Sequence, residues 1–135
     1  MRWLSGPFPF PFPFPMALDH ERFEVDQAAL EWFDLIDEIV EPLPRGRGHL
    51  ADQLSRAGLS IVNNIAEGAG KFSPGDKRRY YLAANGSTTE CAAMLDVCAR
   101  RQLISEDTQR RGKQLAERIV AMLVKLAQSH EPSSR

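Results

Sequence analysis

The stretch SIVNNIAEG, Ser60 to Gly68, has the spacing of a helix that buries one side. Its apolar residues, among them Ile61 and Ile65, recur at steps of three and four, which predicts an amphipathic helix. Two adjacent asparagines and a glutamate interrupt this pattern, although asparagine is a poor helix former because its amide competes for backbone groups. On a helical projection the polar residues fall together beside the buried stripe, and we name them the polar ridge: Gln53, Arg56, Ser60, Asn63, Asn64 and Glu67. A ridge of this kind predicts specific packing between helices or between subunits.

A second segment of similar character, ANGSTTE, occupies residues 84–90. Gly86 in the middle of a helix costs about 1 kcal/mol relative to alanine, so a packing reason is expected. Gly86 and Ser87 are small enough to let another helix approach closely. We therefore expect the two segments to meet, with Asn64 or Glu67 reaching the backbone or the hydroxyls of residues 86–90, if the register of the two antiparallel helices brings the segments level with each other.

Outside these segments the folded part of the chain also reads as helices, without strand-like alternation. The first helix buries a stripe that includes Trp32 and Ile36, and it ends where two prolines follow. Ser73 and Ser105 stand at the positions of helix N-caps. We predict helices from about Val25 to Glu41, from His49 to Gly68 or Gly70, from Pro74 to Arg101, and from the Ser105 cap through Leu126.

Four amphipathic helices joined by short connections predict an all-α protein, an antiparallel up-and-down four-helix bundle. We place the bundle at residues 23–128, between a disordered Phe-Pro N-terminal extension at 1–22 and a disordered tail at 129–135. The repeat GPFPFPFPFP has proline at every second position, which prevents the continuous apolar helix of a signal peptide. We expect Met16 to be the true start, with residues 1–15 an upstream reading-frame extension; the alternative is a hydrophobic interaction tail.

The 135 residues suffice for one domain with a single core, and the formal net charge is −1. The charge is unevenly distributed along the chain. Residues 16–41 hold nine acidic residues and one arginine, a net charge of −8, whereas residues 42–135 have a net charge of +6. This asymmetry indicates either a partner surface or an acidic first helix that packs beside basic neighbours within the molecule or its oligomer.

Cys91 and Cys98 lie seven positions apart on one predicted helix. This places them about 10 Å apart along its axis, which is too far for a disulfide. We expect buried free thiols in a reducing cytoplasm. No stretch approaches the roughly 18 apolar residues of a membrane span, so no membrane partner is expected.

The two polar segments resemble the motifs of the 23S rRNA intervening-sequence family of small four-helix-bundle proteins. Members of that family typically read as RA-x-SI-x-x-NIAEG on one helix and FL-x-IA-x-GS-x-x-E on the next. The matching residues here are Arg56, Ala57, Ser60, Ile61, Asn64, Ile65, Ala66, Glu67 and Gly68, and then Leu82, Ala84, Gly86, Ser87 and Glu90. The resemblance covers roughly Val25 to Ala127. It departs from the family at Ala83–Asn85, where a larger apolar residue usually precedes the alanine.

This resemblance implies a homopentamer of four-helix bundles and no established activity. A related group, the accessory variability proteins of diversity-generating retroelements, consists of strongly basic pentameric bundles that bind nucleic acid and partner a reverse transcriptase. This chain lacks their strong positive charge. The two motifs supply candidate packing or interface residues: Arg56, Ser60, Asn64, Glu67, Gly68, Gly86, Ser87 and Glu90.

No catalytic, metal or cofactor site is predicted. A di-metal carboxylate bundle needs Glu-x-x-His motifs on two helices, and the sequence contains none. The stretch GAGKFS lacks the strand and helix context of a phosphate-binding loop, and no nucleophile is arranged with a histidine. Glu67 and Glu90 as an acid–base pair are the remaining enzymatic alternative. Such residues more often pair with an arginine such as Arg56 or join a polar network between helices.

Two functions of different class remain. We expect a non-enzymatic homo-oligomeric scaffold or interaction module, whose protein partner the sequence does not identify. The alternative is RNA or DNA binding, because an antiparallel bundle collects six arginines at one end, and a ring of subunits would multiply them. We name this group the arginine end: Arg45, Arg47, Arg100, Arg101, Arg110 and Arg111. At the opposite end Tyr80 and Tyr81 have rings that are candidate stacking faces, and four surface bases cluster around the same loop: Lys71, Lys77, Arg78 and Arg79.

Overall fold

The computed structural model describes residues 16–131, which form four α-helices joined by short connections. The helices are α1 (Met16–Val40), α2 (Gly48–Gly70), α3 (Pro74–Arg100) and α4 (Glu106–Ser129), and a short 3-10 turn, Arg45–Arg47, leads into α2. No strand occurs between residues 16 and 131, and the all-α prediction is confirmed. Residues 1–15, with the Phe-Pro repeat, and residues 132–135 lie outside the described residues, so the expectations for them stay predictions. The predicted tail at 129–135 begins too early, because Ser129 belongs to α4 and Glu131 pairs with Arg78.

Two of the helices begin at the serine caps that the sequence predicts. The hydroxyl of Ser73 accepts a hydrogen bond from the backbone amide of Asp76 at 3.0 Å, at the start of α3. The hydroxyl of Ser105 accepts from the amide of Thr108 at 3.0 Å, at the start of α4. Each cap satisfies one of the backbone donors that a helix N-terminus leaves free.

Helix α1 begins at Met16, nine residues before the predicted start at about Val25, and residues 16–22, assigned to the disordered extension, are helical in the structure. Neither proline nor glycine interrupts residues 16–41, so no residue in this stretch breaks the helix. A carboxylate oxygen of Glu21 also lies 2.9 Å from Nζ of Lys125, which ties this first part of α1 to α4. The predicted boundary was wrong because it followed the apolar stripe alone, whose first member is Val25.

Within the described chain the helix backbones approach one another as neighbours in a cycle: α1 with α2, α2 with α3, α3 with α4, and α4 with α1. Ion pairs show the direction of the chain. Glu21, early in α1, pairs with Lys125, late in α4, whereas Glu38, late in α1, pairs with Arg111, early in α4. These helices therefore run antiparallel, as short connections require in an up-and-down bundle.

The core lies along the common axis of the bundle, where the predicted apolar stripes meet. Two glycines let neighbouring helices approach closely, since a β-carbon at Gly58 would collide with Ile36 and one at Gly112 with Leu95. Each glycine lies inside a helix, and the neighbouring helix places a large side chain in the space next to that glycine. The largest fully buried side chains include Trp32, Ile36, Leu54, Ile61, Ile65, Leu95, Ile119 and Leu123.

Candidate functional site

The polar ridge contacts α3 through one pair of hydroxyls. Oγ of Ser60 and Oγ of Ser87 lie 2.8 Å apart in a half-buried position between α2 and α3. Nδ2 of Asn64 donates to the carbonyl oxygen of Ser60 at 2.9 Å and to its Oγ at 3.0 Å. The two motif segments therefore meet, but Asn64 does not reach α3 as predicted. It binds Ser60, and Ser60 makes the contact between the helices.

The charged residues of the motif segments stay at the surface. A carboxylate oxygen of Glu67 lies 3.5 Å from Nζ of Lys71, whereas Arg56 and Glu90 form no ion pair with any described residue. Since Ser60 lies opposite Ser87 in an antiparallel pair, Glu67 and Glu90 are about 15 Å apart along the helix axes. An acid–base pair must lie within hydrogen-bond reach of the same substrate, so this separation argues against that alternative within one subunit.

Gly68, the last residue of the first motif, lies where α2 approaches α3. A β-carbon at this position would be 2.8 Å from Cε1 of Tyr81 and 3.2 Å from the β-carbon of Tyr80, so only glycine fits without displacement. Lys77 is buried near the same contact, and its Nζ donates to the carbonyl oxygens of Gly68 at 3.2 Å and Ala69 at 3.0 Å. Lys77 thus satisfies backbone acceptors that the end of α2 leaves free.

Sequence reasoning placed Lys77 among the surface bases and missed its structural role. The available signal was its spacing, because Lys77 precedes Tyr81 by four residues and Ala84 by seven, on the buried stripe of α3. A lysine on such a stripe, directly after a glycine-rich helix end, indicates a cap for the carbonyls of that end.

Gly86 contrasts with Gly68. Nothing lies within 4 Å of a β-carbon placed on Gly86, and the residue is exposed. The predicted close approach of a neighbouring helix at Gly86 is therefore wrong within one chain. The contact expected there is made one residue later, by Ser87, because α3 turns Ser87 toward α2 and Gly86 toward the outside.

The residues of the arginine end lie in the α1–α2 connection, at the end of α3, and in the first turns of α4. Two of them already have acidic partners. Arg110 binds Asp107 on the same helix, and Nη2 of Arg111 lies 3.6 Å from a carboxylate oxygen of Glu38. The other four form no ion pair with any residue between 16 and 131, and these are the arginines available to an anionic partner: Arg45, Arg47, Arg100 and Arg101.

At the opposite end the side chains proposed for stacking are largely occupied by the fold. Tyr81 is buried, with its ring centroid 5.9 Å from that of His130, so it offers no stacking face. Nη2 of Arg78 lies 3.9 Å from a carboxylate oxygen of Glu131. Tyr80 is half-buried, and two cations lie 5.2 Å from its ring centroid: Lys71 and Arg79.

The two thiols lie inside the bundle and are poor nucleophiles. Burial raises the pKa of the Cys91 thiol to about 11. Burial also raises the pKa of Cys98, against the opposing effect of the positive charge of Arg47. Because the thiolate is the reactive form, neither cysteine is activated for catalysis at neutral pH.

An exposed apolar surface, which the sequence analysis did not predict, runs along α1 and α2. Phe23, Leu30 and Leu59 are 58%, 48% and 48% exposed. Phe23 and Leu30 line a shallow groove of about 340 Å³ together with Val62 and Ala66 of α2. We name these five residues the α1–α2 patch. The available signal was the seven-residue spacing of Phe23 and Leu30, which places both on one side of α1, away from its buried stripe.

Two other kinds of site do not occur in the part of the chain that the structure describes. No group of three or more histidine, cysteine, aspartate or glutamate side chains there is placed to hold a metal ion. No helix between residues 16 and 131 combines the length and the apolar character needed to cross a membrane.

Comparison with known proteins agrees with the motifs and the fold. The sequence profile of the 23S rRNA-intervening sequence protein family matches residues 21–125. A similar solved structure, at 1.70 Å, is that of a protein of unknown function from the S23 ribosomal protein family of Bacteroides thetaiotaomicron. The TM-score is 0.74 at 20% identity, and the match covers 80% of this chain and 98% of that chain. At this identity the likeness shows the fold alone. No curated protein sequence matches this chain.

Proposed function

The chain belongs to the 23S rRNA-intervening sequence protein family, and from this premise we propose that it is a non-enzymatic, homo-oligomeric scaffold or interaction module. The α1–α2 patch carries the proposal. Phe23 and Leu30, which are about half exposed, line an open groove there, and Leu59 is about half exposed on α2. Contiguous apolar surface of this kind is stabilised when another protein covers it. A second copy of the same chain is always available to bury this patch.

The contacts of the motif residues support a structural role over a catalytic one. Ser60, Asn64 and Gly68 each take part in the approach of α2 to α3. Glu67 and Glu90 are too far apart to act together within one subunit, and the buried thiols have raised pKa values. Free, buried cysteines also support a reducing, cytoplasmic setting for this role.

The test is the mass of the full-length protein in solution, measured by light scattering and by native mass spectrometry. We expect one oligomer, and the family resemblance predicts that it is a pentamer. Leu30→Glu should convert it to a monomer with unchanged helix content, because the substitution puts a charge into the α1–α2 patch. Gln128→Glu makes the same charge change at an exposed position of α4 and should leave the assembly intact. A wild-type protein that is monomeric at every concentration would overturn the proposal.

A second candidate function is nucleic-acid binding at the arginine end. It is favoured by the four arginines there that form no ion pair within the described chain. Lys and Arg side chains supply the electrostatic part of phosphate binding, and an oligomeric ring would repeat the group in every subunit. As part of this second proposal, we also propose that the chain is related to the accessory variability proteins of diversity-generating retroelements.

Titration of labelled structured RNA and duplex DNA at several salt concentrations tests the second candidate. Binding through phosphates should weaken log-linearly with salt. Arg45→Glu/Arg47→Glu removes two contacts in a connection between helices, and it should lower the salt slope by roughly 2 if both contacts reach phosphate. Arg118→Glu, on an exposed part of α4, is the matched control. No binding at low salt would remove this candidate.

A further inference from the structure

α3 carries an exposed apolar surface on the side away from the core. Leu82 and Val97 are 38% and 44% exposed, and Gly86 and Ala93 between them are also exposed. Their spacing of four, seven and four residues places all four on one side of the helix. We name these residues the α3 outer face. Within the described chain no other helix lies within 4 Å of a β-carbon at Gly86, so another molecule has direct access to the backbone at that point.

The α3 outer face and the α1–α2 patch have complementary shapes. The patch projects large side chains, of which Phe23 is the most exposed. The α3 outer face has a low centre, Gly86 and Ala93, between the larger side chains of Leu82 and Val97. Side chains that project from one helical surface pack into such depressions on another, as at helix–helix contacts in general.

The charges that border the two surfaces are also complementary. Asp26 lines the groove of the α1–α2 patch and lies 3.7 Å from Nε of Arg22. Asp37 and Asp52, with no ion pair among the described residues, lie exposed on the same two helices. The α3 outer face is bordered by Arg56 and Arg100, which likewise form no ion pair in the described chain. Arg79 lies at the same border, but its Nη2 is 3.6 Å from a carboxylate oxygen of Asp76. Glu67 and Glu90 lie on this border too, but Glu67 is paired with Lys71.

From this complementarity we infer that copies of the chain join head to tail, with the α1–α2 patch of one copy on the α3 outer face of the next. The inference rests on the proposed self-association and adds which two surfaces make it. The surfaces belong to different helices and face different sides of the bundle, so one copy uses both at once. Contacts between two different surfaces form a ring when the rotation between copies closes. The acidic first helix then lies against basic residues of its neighbour.

Mixing two disrupted variants tests this pairing. Leu30→Glu damages the α1–α2 patch and keeps the α3 outer face, whereas Val97→Glu does the reverse. Each variant alone should be monomeric, and an equimolar mixture should yield a species with the mass of two chains, because one intact pair of surfaces remains. If Val97→Glu assembles as the wild type does, the patch pairs with itself and the inference is overturned. A monomeric wild type would instead overturn the proposed self-association.

Disulfide trapping gives an independent readout that does not require disrupted variants. Leu30→Cys and Gly86→Cys are mixed and oxidised, and the two native cysteines do not interfere because both are buried. A disulfide-linked dimer containing one copy of each variant is the expected product. Leu30→Cys mixed with Gln128→Cys is the control and should give no mixed dimer. Mixed dimers absent from the first pair, or dimers formed only by Leu30→Cys with itself, would contradict the head-to-tail arrangement.

Discussion

At the scale of single residues, Gly68 and Gly86 are both glycines of the family motifs, but their surroundings differ. Gly68 lies against Tyr81, with 2.8 Å between a β-carbon at position 68 and the ring. Gly86 faces outward, and the described chain places nothing within 4 Å of it. The first glycine is required by the fold of one chain. The second has no such requirement, and we attribute it to contact with another copy.

Alanine at the two glycines should therefore change stability in opposite directions. Gly68→Ala should lower the free energy of unfolding by about 1–3 kcal/mol, because the added carbon overpacks the contact with Tyr81. Gly86→Ala should raise it by up to about 1 kcal/mol, since alanine favours the helix and meets no neighbour. Urea unfolding measures both, in the Leu30→Glu background so that self-association does not add to stability. A destabilised Gly86→Ala protein in that background would show that α3 is packed there within one chain.

At the scale of the helices, α2 and α3 are linked by the hydroxyl pair Ser60–Ser87. Replacing either serine with alanine should lower the free energy of unfolding by about 1 kcal/mol. The double variant should lose little more than one single variant, because both changes remove the same hydrogen bond. Ser55→Ala combined with Ser87→Ala is the control, and its effects should add. Additive losses for Ser60 and Ser87 would mean that the two hydroxyls do not interact in solution.

α3 and α4 are linked by a surface cluster around Asp96. Nζ of Lys113 donates to both carboxylate oxygens of Asp96 at 2.9 Å, and Nε2 of Gln109 donates to Oδ1 at 3.0 Å. The hydrogen bonds from Lys113, and then that from Gln109, hold the pKa of Asp96 below its ordinary value of 3.8. The folded state therefore favours the ionised carboxylate, which stabilises the protein above that ordinary pKa.

The stabilisation by Asp96 should disappear in acid. Asp96→Asn should lower the free energy of unfolding at neutral pH by less than about 1 kcal/mol, because the cluster is exposed to solvent. As the pH falls through the lowered pKa, the carboxylate of the wild type is protonated and the difference between the two proteins should vanish. Urea unfolding at a series of pH values measures this difference. Asp34→Asn, at a carboxylate that forms no ion pair with a described residue, is the control for the loss of a negative charge.

At the scale of the whole molecule, the acidic first helix and the basic remainder of the chain are only partly neutralised within one subunit. Two ion pairs join α1 to α4, Glu21–Lys125 and Glu38–Arg111. Several other acids of α1 and four residues of the arginine end have no such partner in the described chain. The remaining charges therefore face outward and act on whatever approaches the bundle.

Salt should weaken the assembly without abolishing it. Raising the ionic strength from about 0.1 M to about 1 M shortens the Debye length from about 10 Å to about 3 Å, which screens the charges bordering the two surfaces. The apolar contact persists under these conditions. Light scattering on a dilution series should show the dissociation midpoint move to a severalfold higher protein concentration. A midpoint that moves to lower concentration would indicate that the interface is apolar and that its bordering charges do not contribute.

Much of the fold could be predicted because it depends on local patterns. The periodicity around Ile61 and Ile65 and the caps at Ser73 and Ser105 depend on neighbours within a few residues. The meeting of the two motif segments was expected, but it depends on the register between α2 and α3, which a short connection does not fix. The role of Lys77 was missed, because the carbonyls that it binds belong to the end of another helix. The distance between Lys77 and these carbonyls depends on how the end of α2 is placed against α3.

Local patterns in the chain are enough to specify four amphipathic helices, their caps, the antiparallel order and the family motifs, since each depends on residues near one another in the chain. The packed bundle is needed to see which polar ridge residue touches α3, that Gly86 faces outward, and that Phe23 and Leu30 line an exposed groove with residues of α2. Those results depend on the rotation of each helix about its own axis and on the register between neighbours. Rotation and register are set by the packing of all four apolar stripes together, and no local pattern contains them.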